Sequence, residues 1–304
     1  MLTLFVRRRN LFLNPGALLL LLLVGTLLAL SLLLAKMANR AGIPALSFLT
    51  MSLLGASAIL LLFTMPGKNK PHLNRQVLTY ALIAGALFAL PNAIAFLALP
   101  HLGAGFVSLS FVFPLLLTWL MALFIGMETW QTVRLAGVLL GLCGGAILAL
   151  SKASASEINP TWLAVVAIIP FIVATGNIYR SRHWPEGAAP MFLAALMMFG
   201  GAIILFPLAL LIEPLPVSRV LDGDHALLMV IAEAAIFALL YFLYFVLQKI
   251  SGAVYLSQIG IVAAPITITL SIMVFGEPVP PHLTLAGALI LLGVLIFQHA
   301  RTRR

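Results

Sequence analysis

The sequence predicts an all-α integral membrane protein of ten transmembrane helices, arranged as two inverted five-helix repeats. Three observations predict it. First, 63% of the 304 residues are hydrophobic and 8% are charged, whereas a soluble domain carries roughly 25% charged residues. The chain lacks the charge to cover a surface in water. Second, apolar stretches of spanning length follow one another along the chain. Third, short motifs of the first half return in the same order in the second.

Ten apolar segments can be marked off. The first five run Pro15 to Ala35, Pro44 to Met65, Val77 to Leu99, Gly105 to Ile125 and Thr132 to Leu150. The second five run Thr161 to Tyr179, Pro190 to Ile212, Leu227 to Leu247, Ala253 to Phe275 and Pro281 to His299. Each is near the roughly 20 residues that cross about 30 Å of hydrocarbon as a helix. Membrane β-strands would read as alternating segments of about ten residues; these runs are continuous. The weakest boundaries are Pro100-His101-Leu102-Gly103 and Gln248-Lys249-Ile250-Ser251-Gly252. Both are split, because an unbroken run would be about twice the membrane thickness. Arg7-Arg8-Arg9 precede a leucine run too long for a signal peptide, so they read as a basic anchor on the first span.

Ten spans put both termini on one side. That side collects 13 of the 17 bases: Arg7, Arg8, Arg9, Lys68, Lys70, Arg75, Arg134, Arg180, Arg182, Lys249, Arg301, Arg303 and Arg304. Lys36, Arg40, Lys152 and Arg219 fall opposite. The bias predicts cytoplasmic termini in a cytoplasmic (inner) membrane. The loop with Glu213, Asp222 and Asp224 then lies outside, where acids meet water.

The formal charge of +9 does not signal nucleic acid. The bases sit at loops and helix ends, with no basic face interleaved with aromatics. Cys143 is the one cysteine. It excludes an intramolecular disulfide and a cysteine zinc site, and reads as a small buried packing residue. No phosphate loop G-x-x-x-x-G-K-[ST] occurs. The histidines, His72, His101, His183, His225, His282 and His299, lie near loops or ends and form no H-E-x-x-H frame. No metal, cofactor or catalytic residue is expected. An intramembrane enzyme would need a nucleophile–base pair or metal cluster, and a channel would need charge rings or a carbonyl filter. A scaffold is the remaining alternative.

The two halves, 1–152 and 153–304, align at a shift of 144 to 151 residues. Gly42-Ile43-Pro44 matches Gly187-Ala188-Ala189-Pro190. Phe88-Ala89-Leu90 matches Phe237-Ala238-Leu239, Gly103-Ala104 matches Gly252-Ala253, and Pro114 matches Pro265. Gly126-Met127-Glu128 matches Gly276-Glu277, and Leu135-Ala136-Gly137 matches Leu285-Ala286-Gly287. Five helices per copy is an odd number, so the second copy enters the membrane from the opposite side. Such inverted repeats characterise many secondary transporters.

At these repeat ends the sequence resembles the EamA family of the drug/metabolite transporter superfamily. The pattern is a small-residue patch, an apolar helix with proline, a Gly-Glu turn, then Leu-Ala-Gly leading a glycine-rich last helix. It occurs as Gly103 to Leu150 and again as Gly252 to Phe297. Lys36 followed by Gly42-Ile43-Pro44 also fits, so nearly the whole chain is covered. The resemblance implies ten helices, cytoplasmic termini, a central cavity, and export or exchange of small metabolites, often amino acids. The first helix carries Gly25-Thr26-Leu27 in place of the tryptophan-serine pair common in the family.

Polar groups inside a bilayer are expensive and mark function or pairing. Glu233 is the one acid well inside a predicted span. Phe237, Tyr241, Tyr244 and Gln248 follow on the same helical face. A carboxyl there can bind an ammonium group or carry a coupling proton; the competing reading is pairing with a neighbouring helix, with the aromatics as core. Asn92 is the repeat mate of Tyr241 and follows Pro91, whose missing N–H frees a carbonyl in the third helix. Asn177 sits with Thr175 and Gly176 in the sixth. Ser108, Ser110, Gln258 and Thr269 are weaker candidates, and Tyr255 shares a face with Gln258. The expected substrate-binding set is Glu233, Tyr241, Tyr244, Asn92, Asn177, Gln258, Phe237 and Ser108.

Gly137, Gly141 and Gly145 form a small-residue stripe suited to close packing, within the chain or in a homodimer. Glu128 and Glu277 read as turn or capping residues, and Trp119, Trp130, Trp162 and Trp184 as interfacial anchors. The expected partners are the lipid bilayer and a small-molecule substrate, driven by proton or substrate antiport. A nucleotide-sugar or drug carrier is the second reading. Phosphate-bearing substrates need Arg or Lys in the cavity, and mid-span bases are nearly absent; Lys36 is the main exception.

Overall fold

The computed structural model describes residues 15–64, 73–153, 160–213, 224–277, 279 and 282–302. Arg7, Arg8, Arg9, Lys68, Lys70, His72, Arg219, Asp222, Pro281, Arg303 and Arg304 lie outside them. The described chain forms ten helical segments and no strand. They are α1 (Pro15–Arg40), α2 (Ala45–Thr64), α3 (Arg75–Leu102), α4 (Ala104–Phe124), α5 (Thr132–Ala153), α6 (Pro160–Arg182), α7 (Pro190–Ile212), α8 (Asp224–Leu256), α9 (Ile259–Phe275) and α10 (Leu283–Thr302). Seven, all but α5, α9 and α10, are long and apolar enough to cross a membrane; those three hold shorter apolar stretches.

The outer surface shows why lipid is the solvent. Leu62, Phe63, Phe124, Leu211 and Met273 are all more than 70% exposed, a liability in water and none in hydrocarbon. Leu49, Leu53, Phe96, Met197, Phe237 and Phe245 fill the interior.

Glycine brings helices together at two seams. A methyl group at Gly137 of α5 would lie 2.5 Å from the Gly293 carbonyl oxygen of α10, and one at Gly293 would lie 2.5 Å from that of Gly137. Gly85 of α3 meets Gly200 and Gly201 of α7 in the same way. The glycine stripe of α5 therefore serves packing within the chain: Gly137 on α10, Gly141 beside Leu116, and Gly145 under the Phe113 ring. Cys143, expected to be buried, is exposed. The glycine side of α5 holds the contact, so Cys143 faces outward.

The six positive-φ glycines among the described residues fall three in each half. They are Gly42 (79°) and Gly187 (72°), Gly103 (82°) and Gly252 (79°), and Gly126 (73°) and Gly276 (63°). These are the glycines of three motif matches read from the sequence. Left-handed backbone is costly for other residues, so a turn made this way keeps its glycine. Gly103 ends α3 and Gly252 breaks α8, at the two boundaries that were hardest to place.

Two segments are also interrupted internally, and a third turn separates two others. α4 turns at Phe111–Phe113 before Pro114, α6 turns at Ala167–Ile168, and the chain turns at Ser257–Gln258 between α8 and α9. The first and last interruptions touch, since a methyl group at Gly260 would lie 1.7 Å from the Phe111 carbonyl oxygen. Irregular backbone at membrane depth is tolerated where it is buried or lines a cavity.

Three end groups are structural. Glu213, expected in an open loop, is buried. Its carboxylate accepts from Leu46 N (2.6 Å), Ser47 N (2.9 Å) and Ser47 Oγ (2.6 Å), capping the start of α2. Glu277 accepts from Ala104 N (2.7 Å) and Gly105 N (3.1 Å) and pairs with Lys36. Glu128 pairs with Arg134 at 3.3 Å. Trp119, expected at an interface, is fully buried against Phe297, while Trp130 is exposed.

Candidate functional site

A cavity of about 60 Å³ lies inside the bundle. Its wall comes from both halves: Val24 and Leu28 of α1, Asn92 of α3, Pro114 of α4, Asn177 and Arg180 of α6, Tyr241 and Tyr244 of α8, and Ser257 and Gly260 at the last interruption. The interruptions at Phe111–Phe113 and Ser257–Gln258 thus border the cavity.

Four polar residues of the wall, Asn177, Arg180, Tyr244 and Ser257, form one connected network that reaches Thr118, Ser181 and Gln248 behind it. The Arg180 Nη2 donates to Asn177 Oδ1 and to Tyr244 Oη, both at 2.7 Å. The Tyr244 hydroxyl donates to the same Asn177 oxygen. Asn177 Nδ2 donates to Ser257 Oγ at 3.0 Å, and Ser257 Oγ lies 2.9 Å from Thr118 Oγ1. Below this, Gln248 Nε2 donates to the Asn177 carbonyl (3.0 Å) and to Ser181 Oγ (2.9 Å). One helix repeat explains the geometry. Asn177 and Arg180 are three residues apart on α6, and Tyr241, Tyr244 and Gln248 share a face of α8.

The expected set divides. Tyr241, Tyr244, Asn92 and Asn177 line the cavity. Asn92 Nδ2 also donates to the Phe88 carbonyl at 2.7 Å, one turn back. Phe237 lies behind the wall in an aromatic cluster with Phe88, Phe96 and Tyr241. Ser108 is buried and donates to the Gly105 carbonyl at 2.7 Å. Gln258 is buried beside the lining residue Ser257. Thr175 is exposed, its hydroxyl bonded to the Phe171 carbonyl.

Glu233 is fully buried and lies outside the cavity wall. Its Oε1 accepts from Ser31 Oγ of α1, and its Oε2 has no hydrogen-bond partner among the described residues. The predicted one-face array is therefore split along the length of α8. Glu233 meets α1, Phe237 meets the aromatic cluster, and the tyrosines meet the cavity.

Arg180 corrects the sequence reading most. It was counted among bases at a membrane edge, yet it is buried, at 3% exposure, in the cavity wall. Lys36, the expected exception, is engaged by Glu277 away from the cavity. The i, i+3 spacing of Asn177 and Arg180 was the signal that could have found it.

The described residues define a multi-pass helical membrane protein with an internal cavity, apolar but for one polar patch, bordered by interrupted helices. The EamA-like transporter family model matches residues 152–298. The match contains the motif run from Gly252 to Phe297. No curated protein matches the chain. Among solved structures 27 chains match. One crystal structure is similar at a TM-score of 0.63 and 21% identity, covering 94% of this chain and 98% of that one. That likeness is one of fold.

Proposed function

We propose that this chain is a secondary transporter that moves small metabolites, amino acids first among them, across the cytoplasmic membrane by export or exchange. The observation that carries the reading is the small, mostly apolar cavity with one polar patch, set between interrupted helices of both halves. A carrier of this kind opens that cavity to each side in turn.

In this reading 1–152 and 153–304 are inverted repeats of five spanning helices each, with cytoplasmic termini. The paired positive-φ glycines support it, because equivalent turns recur at equivalent places in each half. Tyr241, Tyr244, Asn92 and Asn177 bind substrate directly. Phe237, Ser108 and Gln258 shape the wall from behind. Glu233 serves proton coupling from its separate position. The sequence carries no phosphate loop, so a proton or substrate gradient drives the cycle.

Arg180 favours a second reading within the same superfamily, a nucleotide-sugar or other phosphate-bearing substrate, by supplying the base that such cargo needs. The two are separated by counterflow in proteoliposomes with labelled amino acids and nucleotide sugars. Saturable amino-acid uptake supports the first; uptake of nucleotide sugars alone replaces it with the second. No uptake of either by folded protein rejects both.

A further inference from the structure

We propose that Arg180 is an anion-binding group and that the substrate presents a single small anionic group, a carboxylate or a phosphate-type oxyanion, to it. This inference rests on the carrier reading for its biological role, but not for its test.

Arg180 stands apart from the other bases whose side chains are described. Arg40, Arg75, Arg182 and Lys249 are exposed. Lys36 and Arg134 are ion-paired, to Glu277 and Glu128. Arg180 is buried, and no carboxylate among the described residues pairs with it. Its protein acceptors are neutral, the Asn177 amide oxygen and the Tyr244 hydroxyl. Both engage Nη2. Nε is buried with no hydrogen-bond partner among the described residues.

That arrangement is a poor structural tie. A buried cation costs several kcal/mol after relaxation unless it is matched by an opposite charge, and a neutral amide could join α6 to α8 without that cost. It is a good receptor. Asn177 and Tyr244 hold the guanidinium in place, while its positive charge stays uncompensated beside an open volume. Arginine suits carboxylate and phosphate oxygens because its planar N–H donors match their geometry.

The rest of the wall limits the cargo. No Asp or Glu among the described residues lines the cavity, so a cationic group on the substrate would meet neutral oxygens such as those of Ser257 and Tyr241. Val24, Leu28, Met197 and Leu240 offer apolar contact. The charge recognised is thus the negative one, with an apolar or neutral remainder. For an amino acid, the carboxylate is the group read at Arg180.

The test is calorimetric titration of the full-length protein in detergent. The probes are leucine, phenylalanine and 4-methylpentanoate, each beside its amide, and inorganic phosphate. The acids or phosphate should bind, and the amides should bind at least about tenfold more weakly. Arg180→Gln should weaken acid or phosphate binding by roughly 10- to 100-fold and leave the amides unchanged, and Arg180→Lys should recover part of the loss. Acids binding over phosphate assigns a carboxylate; phosphate over acids assigns a phosphorylated substrate. Should Arg180→Gln not fold, Gly176→Ala serves instead. Its methyl would lie 3.0 Å from Arg180 Nη1 and should weaken acids but not amides. Equal binding of acids and amides, unchanged acid binding in Arg180→Gln, or no binding of any acid or phosphate overturns the proposal. Counterflow is measured in parallel. Charge-selective binding without flux leaves the anion site standing and removes the carrier reading; flux without charge selectivity does the reverse.

Discussion

Arg180 and Glu233 are both charged side chains buried inside an apolar bundle, and neither is ion-paired with another described residue. Their surroundings differ. Arg180 borders a cavity and is held by an amide and a phenol. Glu233 sits in packed contact between α8 and α1, with one hydroxyl for company. Burial by itself therefore does not mark the substrate site. The arginine faces space that a ligand can fill. The carboxyl faces a helix–helix seam.

That contrast can be broken by mutation. The largest effect is expected for Arg180→Gln in counterflow, where saturable uptake should fall by at least about tenfold at low substrate. Restored uptake on raising the substrate concentration would show that binding, not folding, was lost. Glu233→Gln should separate the two sites. Ligand affinity in calorimetry should change by less than about threefold, while uptake should stop responding to an imposed pH gradient. An affinity loss matching that of Arg180→Gln would merge the two sites into one. Tyr244→Phe removes one of the two neutral acceptors of Arg180 and should weaken acid binding by about three- to tenfold. Smallest of all, Thr175→Ala on the exposed side of α6 should leave affinity and uptake at parental values.

A structural control sits near the C-terminal end of α1. Glu277→Ala would strip the cap from α4 and leave Lys36 without its carboxylate. Losing one partner of a mostly buried pair costs about 3 kcal/mol, so the melting temperature in detergent should drop while the acid-over-amide preference of surviving protein persists.

The turns were legible in the sequence because a positive φ restricts residue type. A glycine needed for such a turn stays a glycine, so Gly42, Gly103 and Gly126 could be matched with Gly187, Gly252 and Gly276 by letters alone. Seven long helices were legible because lipid demands long apolar runs, whereas α5, α9 and α10 carry shorter ones. The cavity was half legible. Helical periodicity puts Glu233, Phe237, Tyr241, Tyr244 and Gln248 on one face, but those positions extend over about 22 Å of helix. Along that length the neighbouring element changes, and periodicity carries no information on neighbours. Arg180 was misread for a related reason. Its place near a span end suggested water, but the packing of α6 against α3 and α8 turns it inward. Glu213 was misread because a carboxylate in a predicted loop was assigned to solvent, while the open N–H groups of α2 were waiting for an acceptor.

The central claim is that one cavity, walled by both halves, is reached from either side in turn. Cys143 is the only cysteine and is exposed, so Cys143→Ser gives a cysteine-free background. Leu87→Cys then places one thiol in the cavity wall. The measurement is its labelling by an impermeant maleimide applied to each face of proteoliposomes, with and without saturating substrate. Alternating access predicts labelling from both faces and protection by substrate on both. Labelling from one face only, or labelling that substrate leaves unchanged, would contradict it.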